Sequence, residues 1–314
     1  MAKRVATDLP QLLTKKYPQA QILRGDASNR AFFRLNSAKN RAVAMVYRRP
    51  ADREIASIIR LSGVYSRAGL LLPRILDQID ERTLLLEDLG DLCLQQAMRK
   101  GSPAEKDRYF RQAGLMLERI AAIPARETTL RLDQDRIKTE LLFFRDHFLR
   151  PQANATELDE LTGVLEYLSR RVPAESRFAH RDFHSRNIMV KEGKLYLIDF
   201  QDSLLAPQDY DLVSLAFDSY LDTGRRRLLL AAANKDWHGT NLRYTALQRN
   251  IKALGTFAFQ AREHGKNKFL RYVARTIRHA LEHLAKLGDS HLLPLAGKLQ
   301  STNQTQLVSL ARRK

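Results

Sequence analysis

The sequence predicts an α+β chain of two lobes: a small antiparallel sheet with one helix over residues 1–88, and a larger, mainly helical lobe over residues 89–314. Three observations lead there. Before residue 90 the apolar residues fall in short runs separated by polar turns, as the strands of a small sheet do. After residue 90 they recur at helical spacing nearly everywhere. The exception lies near the middle, residues 178–200, where short apolar runs return around a Glu-Gly turn.

Taken in order, "QILRG" and "AFFRL" flank the polar turn Asp26-Ala27-Ser28-Asn29-Arg30 and read as a hairpin, and "RAVAMVY" is a third strand rich in β-branched and apolar residues. Ile55, Ile58, Ile59, Leu61 and Val64 then give a helix that Gly69 stops. "PRILDQIDERTLLLEDLG" supplies two more strands around a polar turn, completing five strands and one helix. Beyond the connection "EDLGD", one helix is marked by Leu158, Leu161, Leu165 and Leu168, and another by Leu270, Val273, Ile277, Leu281 and Leu284. Between them, "FAHRDF" and "NIMVKEGKLYLIDF" read as a loop followed by a small hairpin.

Cys93 is the only cysteine, so neither an intrachain disulfide nor a multi-cysteine metal site can form, which fits a reducing compartment. No run of eighteen apolar residues occurs and the N-terminus lacks an apolar core of signal-peptide type, so the expectation is a soluble, cytoplasmic protein without membrane partners. The formal charge is +18, and it is uneven: residues 221–314 hold 18 Lys and Arg against 5 Asp and Glu. Such asymmetry marks either a solvated face or a surface for an anionic partner.

The chemistry is concentrated in "FAHRDFHSRNIMV", residues 178–190. His180-Arg181-Asp182, with Asn187 five residues after the aspartate, has the H-x-D-x-x-x-x-N spacing of a kinase-type catalytic loop. Phosphoryl transfer to an alcohol needs a carboxylate beside the acceptor hydroxyl, here Asp182, and an amide oxygen a short turn away for Mg2+, here Asn187. Seventeen residues past Asp182, Asp199 ends the apolar run of "LIDFQD", and its carboxylate suits a Mg2+ that bridges ATP phosphates. His180 is expected to point inward and brace the loop. Only eleven residues separate Asp199 from Asp211, too few for a long peptide-binding segment, so a small acceptor is favoured.

With these motifs in hand, the chain resembles the aminoglycoside phosphotransferase and choline kinase superfamily, whose bilobal fold is that of protein kinases. That superfamily has His two residues after the catalytic Asp, as His184 is here. "DASNRAFFRL", "LLLEDLG", "HRDFHSRN" and "DFQDSLLAPQDYDLVSLAFDSY" are similar to the bacterial anomeric kinases of N-acetylmuramate and N-acetylglucosamine, which serve cell-wall recycling. The resemblance implies that ATP and Mg2+ are the cofactors, that His184 lies on the acceptor side, and that Asp211 braces the catalytic loop.

Two nucleotide-binding features of kinases are altered. Val46 of "VAMV" stands where a phosphate-binding lysine is expected. Arg48, two residues on, is the candidate substitute, with Glu54 as its partner. No G-x-G-x-x-G occurs, and the turn carrying Ser28 and Arg30 takes its place as a phosphate cradle or is an ordinary polar hairpin. The backbone of Glu87 and Leu89 is expected to meet the adenine edge. For the acceptor, Glu140, Phe144 and His147 fall at helical spacing in "TELLFFRDHF", and Gln201 and Asp202 follow the metal aspartate. The reading is a small-molecule kinase acting on an N-acetyl amino sugar. Its alternatives are an aminoglycoside or amino-alcohol phosphotransferase, and a binding protein that uses Lys268, Arg271, Arg275 and Arg278 on nucleic acid.

Overall fold

The computed structural model describes residues 9–23, 30–36, 41–174, 176–221, 224, 226–232 and 239–302. It comprises two compact units: residues 1–94 with 188–201, and residues 95–187 with 202–314. A single cut after residue 88 thus gives way to a cut after residue 94 and the return of one later segment to the first unit.

The first unit is built on a five-stranded antiparallel sheet in the order β1-β2-β3-β5-β4, formed by β1 (Gln21–Leu23), β2 (Arg30–Asn36), β3 (Arg41–Tyr47), β4 (Ile75–Asp80) and β5 (Thr83–Glu87). The register pairs Arg30 with Tyr47, Phe32 with Met45 and Ala31 with Val46. Side chains alternate along a strand, so these pairs divide between two faces. Phe33, Leu35, Ala44 and Val46 face one core, which Leu9 and Leu13 complete. Leu13 belongs to α1 (Gln11–Lys16), a short helix between two prolines that sequence periodicity does not reveal. α2 (Asp52–Arg67) buries Ile55, Ile58, Leu61, Val64 and Tyr65, one face of a 3.6-residue repeat.

The returning segment is the hairpin of β7 (Ile188–Lys191) and β8 (Lys194–Leu197), named after β6 (Ser176–Ala179) of the other unit. Its turn is Glu192-Gly193, with φ of 52° and 72°, the doubly left-handed two-residue loop that matches strand twist and favours glycine at its second position. Val190 N–H donates to Leu92 O at 2.7 Å and Leu197 N–H to Leu71 O at 2.8 Å, and Phe200 packs on Tyr65.

The second unit holds the larger core. Its helices are α3 (Leu94–Lys100), α4 (Pro103–Ala121), α5 (Gln134–Phe144), α6 (Ala155–Arg171), α7 (Tyr210–Ala216), α8 (Arg226–Ala232), α9 (Thr240–His264), α10 (Val273–Leu287) and α11 (Leu293–Ser301), with α3 beginning at the unit boundary. Ser102 and Glu105 form a reciprocal capping box at the start of α4, and Asp133 and Asn154 cap α5 and α6. α9 is buried on most sides, with Leu247, Ile251, Leu254 and Ala258 each at 0% exposure, so it is the spine of the unit. It crosses α5 at Gly255, where a Cβ would lie 2.7 Å from Phe144 Cα, so the two backbones approach directly. β6 pairs antiparallel with β9 (Leu204–Pro207), a two-stranded sheet where the sequence pattern predicts a loop. No helix among the described residues is long and apolar enough to cross a membrane.

Candidate active site

β6 delivers the chain to the loop His180–Asn187, and carboxylates from the following helical segment set its shape. Asp211, in the first turn of α7, accepts from the N–H groups of His180 (2.6 Å) and Arg181 (3.0 Å). These bonds hold Arg181 at φ 78°, a left-handed conformation that costs a residue with a Cβ about 1–2 kcal/mol. Asp218 accepts from Ser185 N–H at 2.8 Å, fixing the other side. His180 is wholly buried and its Nδ1 accepts from Asp182 N–H at 3.3 Å, the bracing role expected of it. Asn187 Nδ2 donates to Asp182 O at 3.1 Å, which turns its Oδ1 away from the loop. That oxygen is of the kind Mg2+ takes.

Around Asp182 lies a partly buried network of charges. Arg249 of α9 donates from Nη2 to Asp182 Oδ1 at 3.1 Å and from Nε to Ser214 Oγ at 3.0 Å. Lys252, one turn along, has Nζ 3.3 Å from Glu140 Oε1 and 4.0 Å from Asp182 Oδ1. Glu140 also meets Arg181 Nη2 at 3.4 Å and accepts from Gln248 Nε2 at 2.8 Å. Burial opposes ionisation of both carboxyls, but Lys252 and Arg249 outweigh it at Asp182, and Lys252 and Arg181 outweigh it at Glu140. Both are therefore held below the ordinary carboxylate range. Asp182 is a carboxylate at every working pH: a weak base, suited to orienting a hydroxyl and to taking its proton late in a loose phosphoryl transfer. Burial lowers the His184 pKa despite nearby Asp218 and Asp182, which favours the neutral ring. Its ring stands edge-on to Tyr220.

The acceptor residues proposed from helical spacing separate. α5 ends at Phe144 and the chain continues as a π-helical turn, Arg145–Leu149, whose wider winding rotates the residues within and beyond it relative to α5. Phe144 is core, stacked on Phe148. His147 instead packs against Phe143 and Phe259, at 4.3 and 4.8 Å between ring centroids. Both Glu140 oxygens are engaged by the network. Asp202 is exposed and adds to the negative field that raises the Arg181 pKa, behind Asp182 and Glu140. The basic stripe is not one helix face either. Lys268 and Arg271 lie in a 3-10 turn before α10, while Arg275 donates to Ser219 O.

In the first unit, Asp199 follows β8 at φ 64°. Its Oδ1 accepts from Arg30 Nη2 at 2.8 Å and from Gln201 Nε2 at 3.0 Å. The proposed pair of Arg48 and Glu54 does not form: both are exposed, and among the described residues no ion pair joins them. β3 ends at Tyr47, and Arg48 continues the face of Ala44 and Val46, whereas Arg30 lies on the opposite one. Glu87 is occupied by Lys191 (2.6 Å) and Arg74 (3.2 Å) through its side chain. Leu89 N–H, in a residue only 7% exposed, donates no hydrogen bond among the described residues, which fits an adenine-edge donor. Ser28 lies outside the described residues.

Sequence reasoning missed Arg249, Lys252, Gln248 and Asp218. The available signal was polar and charged residues set inside the apolar runs "ALQRNIKALG" and "SLAFDSY".

The sequence model of the phosphotransferase enzyme family matches residues 19–247. An N-acetylmuramate/N-acetylglucosamine kinase of Pseudomonas aeruginosa is 27% identical, the match covering 90% of this chain and 92% of that one. A protein of the same name from Neisseria meningitidis serogroup B is 25% identical over 82% of this chain and 85% of that one. Among solved structures, the GDP complex of aminoglycoside 2'-phosphotransferase-IIIa superposes with TM-score 0.63 at 15% identity, covering 89% and 98% of the two chains. A choline/ethanolamine kinase family protein from Mesorhizobium loti superposes with TM-score 0.60 at 11% identity, covering 99% and 98%. The fold is that of the protein-kinase-like phosphotransferases.

Proposed function

The chain belongs to the phosphotransferase enzyme family, and on that premise we propose that it is an ATP- and Mg2+-dependent kinase of the anomeric hydroxyl of an N-acetyl amino sugar, N-acetylmuramate or N-acetylglucosamine. The names of the relatives support the acceptor class. The observation that carries the choice over a cationic aminoglycoside or amino alcohol is the network at Asp182. Arg181, Gln248, Arg249 and Lys252 already engage both oxygens of Glu140 and one of Asp182, so these carboxylates have little free charge to offer a polycationic acceptor. A neutral sugar, or one bearing a carboxylate, asks for none.

Magnesium, when bound, neutralises charge on the nucleotide phosphates, and Asn187 and Asp199 each offer an oxygen ligand of the right kind. The chain does the rest. Leu89 N–H offers a donor to the adenine edge, and Asp182 accepts the acceptor hydroxyl and aligns its oxygen on the γ-phosphorus. The acceptor O–P bond forms as the bond to the β,γ-bridging oxygen breaks; ADP leaves, and the hydroxyl proton passes to Asp182 and then to solvent. Product formation belongs in the cytoplasm, where ATP is available, within cell-wall recycling.

The test is ADP release with Mg-ATP against a panel of amino sugars, aminoglycosides and amino alcohols, with phosphorus NMR locating the new ester at C1. Turnover of kanamycin or ethanolamine, with none of either amino sugar, would overturn the acceptor assignment. A salt-sensitive complex with generic RNA in place of any turnover would instead favour the binding-protein alternative.

A further inference from the structure

β3 carries no lysine where a phosphate-binding lysine is expected. Val46 is 1% exposed and faces the core of Phe33, Leu35 and α1. The sheet carries two largely covered guanidiniums on its opposite face, both from β2: Arg34, committed to Asp88 and Asp91, and Arg30, at the start of the strand. Arg30 is 11% exposed in its side chain, its guanidinium lies 5.9 Å from the ring centroids of both Phe32 and Tyr47, and its Nη1 lies 3.9 Å from Met45 Sδ. That wall of rings fixes where the guanidinium points, and it points at Asp199. A buried arginine aimed at a metal-ligand carboxylate at a left-handed backbone position is more than a surface ion pair, because Asp199 itself is 39% exposed and open to other ligands.

We propose that Arg30 serves two ligands in turn, holding Asp199 in the nucleotide-free protein and passing to the phosphates of the incoming nucleotide, the role that Val46 leaves vacant. The inference rests on the kinase reading above. Asp199 Oδ1 already accepts from both Arg30 and Gln201, so a divalent cation arriving alone must compete with a guanidinium for that oxygen. Phosphate oxygens give the guanidinium an alternative partner of matching geometry and charge. When Arg30 turns to them, the Asp199 oxygen is released. Nucleotide and metal therefore bind with positive coupling, each making room for the other, and by linkage the coupling is reciprocal.

Arg30→Met and Arg30→Lys, with far-UV circular dichroism to establish folding, test this through binding alone. Mn2+ affinity is measured without nucleotide by the electron-paramagnetic signal of the free ion, and ATP affinity is measured calorimetrically in EDTA. In Arg30→Met the metal alone should bind several-fold more tightly, because its competitor is gone. ATP alone should bind about tenfold more weakly, because a charged phosphate contact is lost. Arg30→Lys should retain most of the ATP affinity. A merely structural Arg30 would weaken both ligands together, and that result overturns the proposal, as does unchanged ATP affinity in Arg30→Met. If Arg30→Met does not fold, Arg30→Lys decides: a loss of ATP affinity as large as tenfold overturns the proposal, and retained ATP affinity with weak binding of metal alone supports it. Should the wild-type protein bind no adenine nucleotide at all, it is the kinase reading that fails, which keeps the two failures apart.

Discussion

Replacing Gly255 by alanine sets two physical effects against each other at the crossing of α9 and α5. Alanine is better than glycine in a helix interior by about 1 kcal/mol. The new methyl, however, would lie 2.7 Å from Phe144 Cα, 3.0 Å from its N and 3.1 Å from its Cβ. These are backbone atoms and the root of a side chain, so no rotamer change relieves them. To restore an ordinary 3.4 Å separation, α5 and α9 must part by about 0.7 Å. Overpacking of this kind costs about 1–3 kcal/mol, and here it also strains the stack of Phe144 on Phe148. Gly255→Ala should therefore lower stability by a net of up to about 2 kcal/mol, and Tm by up to roughly 8 °C for a unit of this size. Activity should fall with it, since Glu140 rides on α5 and Gln248, Arg249 and Lys252 ride on α9. Gly163→Ala in α6 and Gly297→Ala in α11 are the controls: a methyl at either position would meet nothing within 4 Å, so both should gain stability. Thermal unfolding followed by circular dichroism reads all three. A Tm for Gly255→Ala that rises with the controls would refute the crossing.

Asp182→Asn should leave ATP affinity within about twofold while turnover falls by two or more orders of magnitude, as measured by binding calorimetry and ADP release. Near wild-type turnover would remove Asp182 from the acceptor site. Arg249→Met takes away one of the cations that keep Asp182 ionised, so the acid limb of the pH–rate profile should move to higher pH; an unmoved limb would dissociate Arg249 from Asp182 function. His279 and His283 are buried, and desolvation pushes their pKa values down to about 4 and about 3. The unfolded chain then binds more protons than the folded one below the ordinary pKa of 6.5, so stability should fall progressively from pH 6.5 towards pH 4. His283→Phe should flatten that decline in thermal melts, and an equally steep decline in the variant would count against the assignment. Arg48→Ala should change the KM for ATP by less than about twofold, as for an exposed residue past a strand end.

The sheet, the first long helix and the hairpin at Glu192-Gly193 are legible in the sequence because each has a local cause: alternation, an i, i+3 repeat stopped by glycine, or a turn whose two residues prefer left-handed backbone. The candidates Asp182, Asn187 and Asp199 likewise rest on a local pattern, since their order and spacing are set by one short loop and one strand end. The features that escape it depend on facts that are not local. Alternation favours Arg48 over Arg30 because it says which residues share a face, and only the pairing with β2 says which face meets Asp199. Uniform helical winding would set His147 beside Glu140, and the π turn at Arg145–Leu149 interrupts that winding. Arg249 and Lys252 sit 67 and 70 positions beyond Asp182, and no periodicity reports what a helix face will find opposite it.

The first unit is completed by a segment encoded far downstream, and this orders events during synthesis. β1 to β5 emerge from the ribosome early, but Leu71 O and Leu92 O acquire their partners only when Val190 and Leu197 have been made, about a hundred residues later. At typical elongation rates that is an interval of roughly 5–20 seconds, long compared with the folding of a small sheet. During it the Leu71 and Leu92 carbonyls lack the partners the hairpin will bring, while the later closure over the intervening residues carries an entropic cost that grows only slowly with their number. A fragment ending at residue 94 should accordingly be prone to association, whereas a shortened chain that joins residue 94 to residue 188 through a flexible linker keeps every part of the unit in one piece.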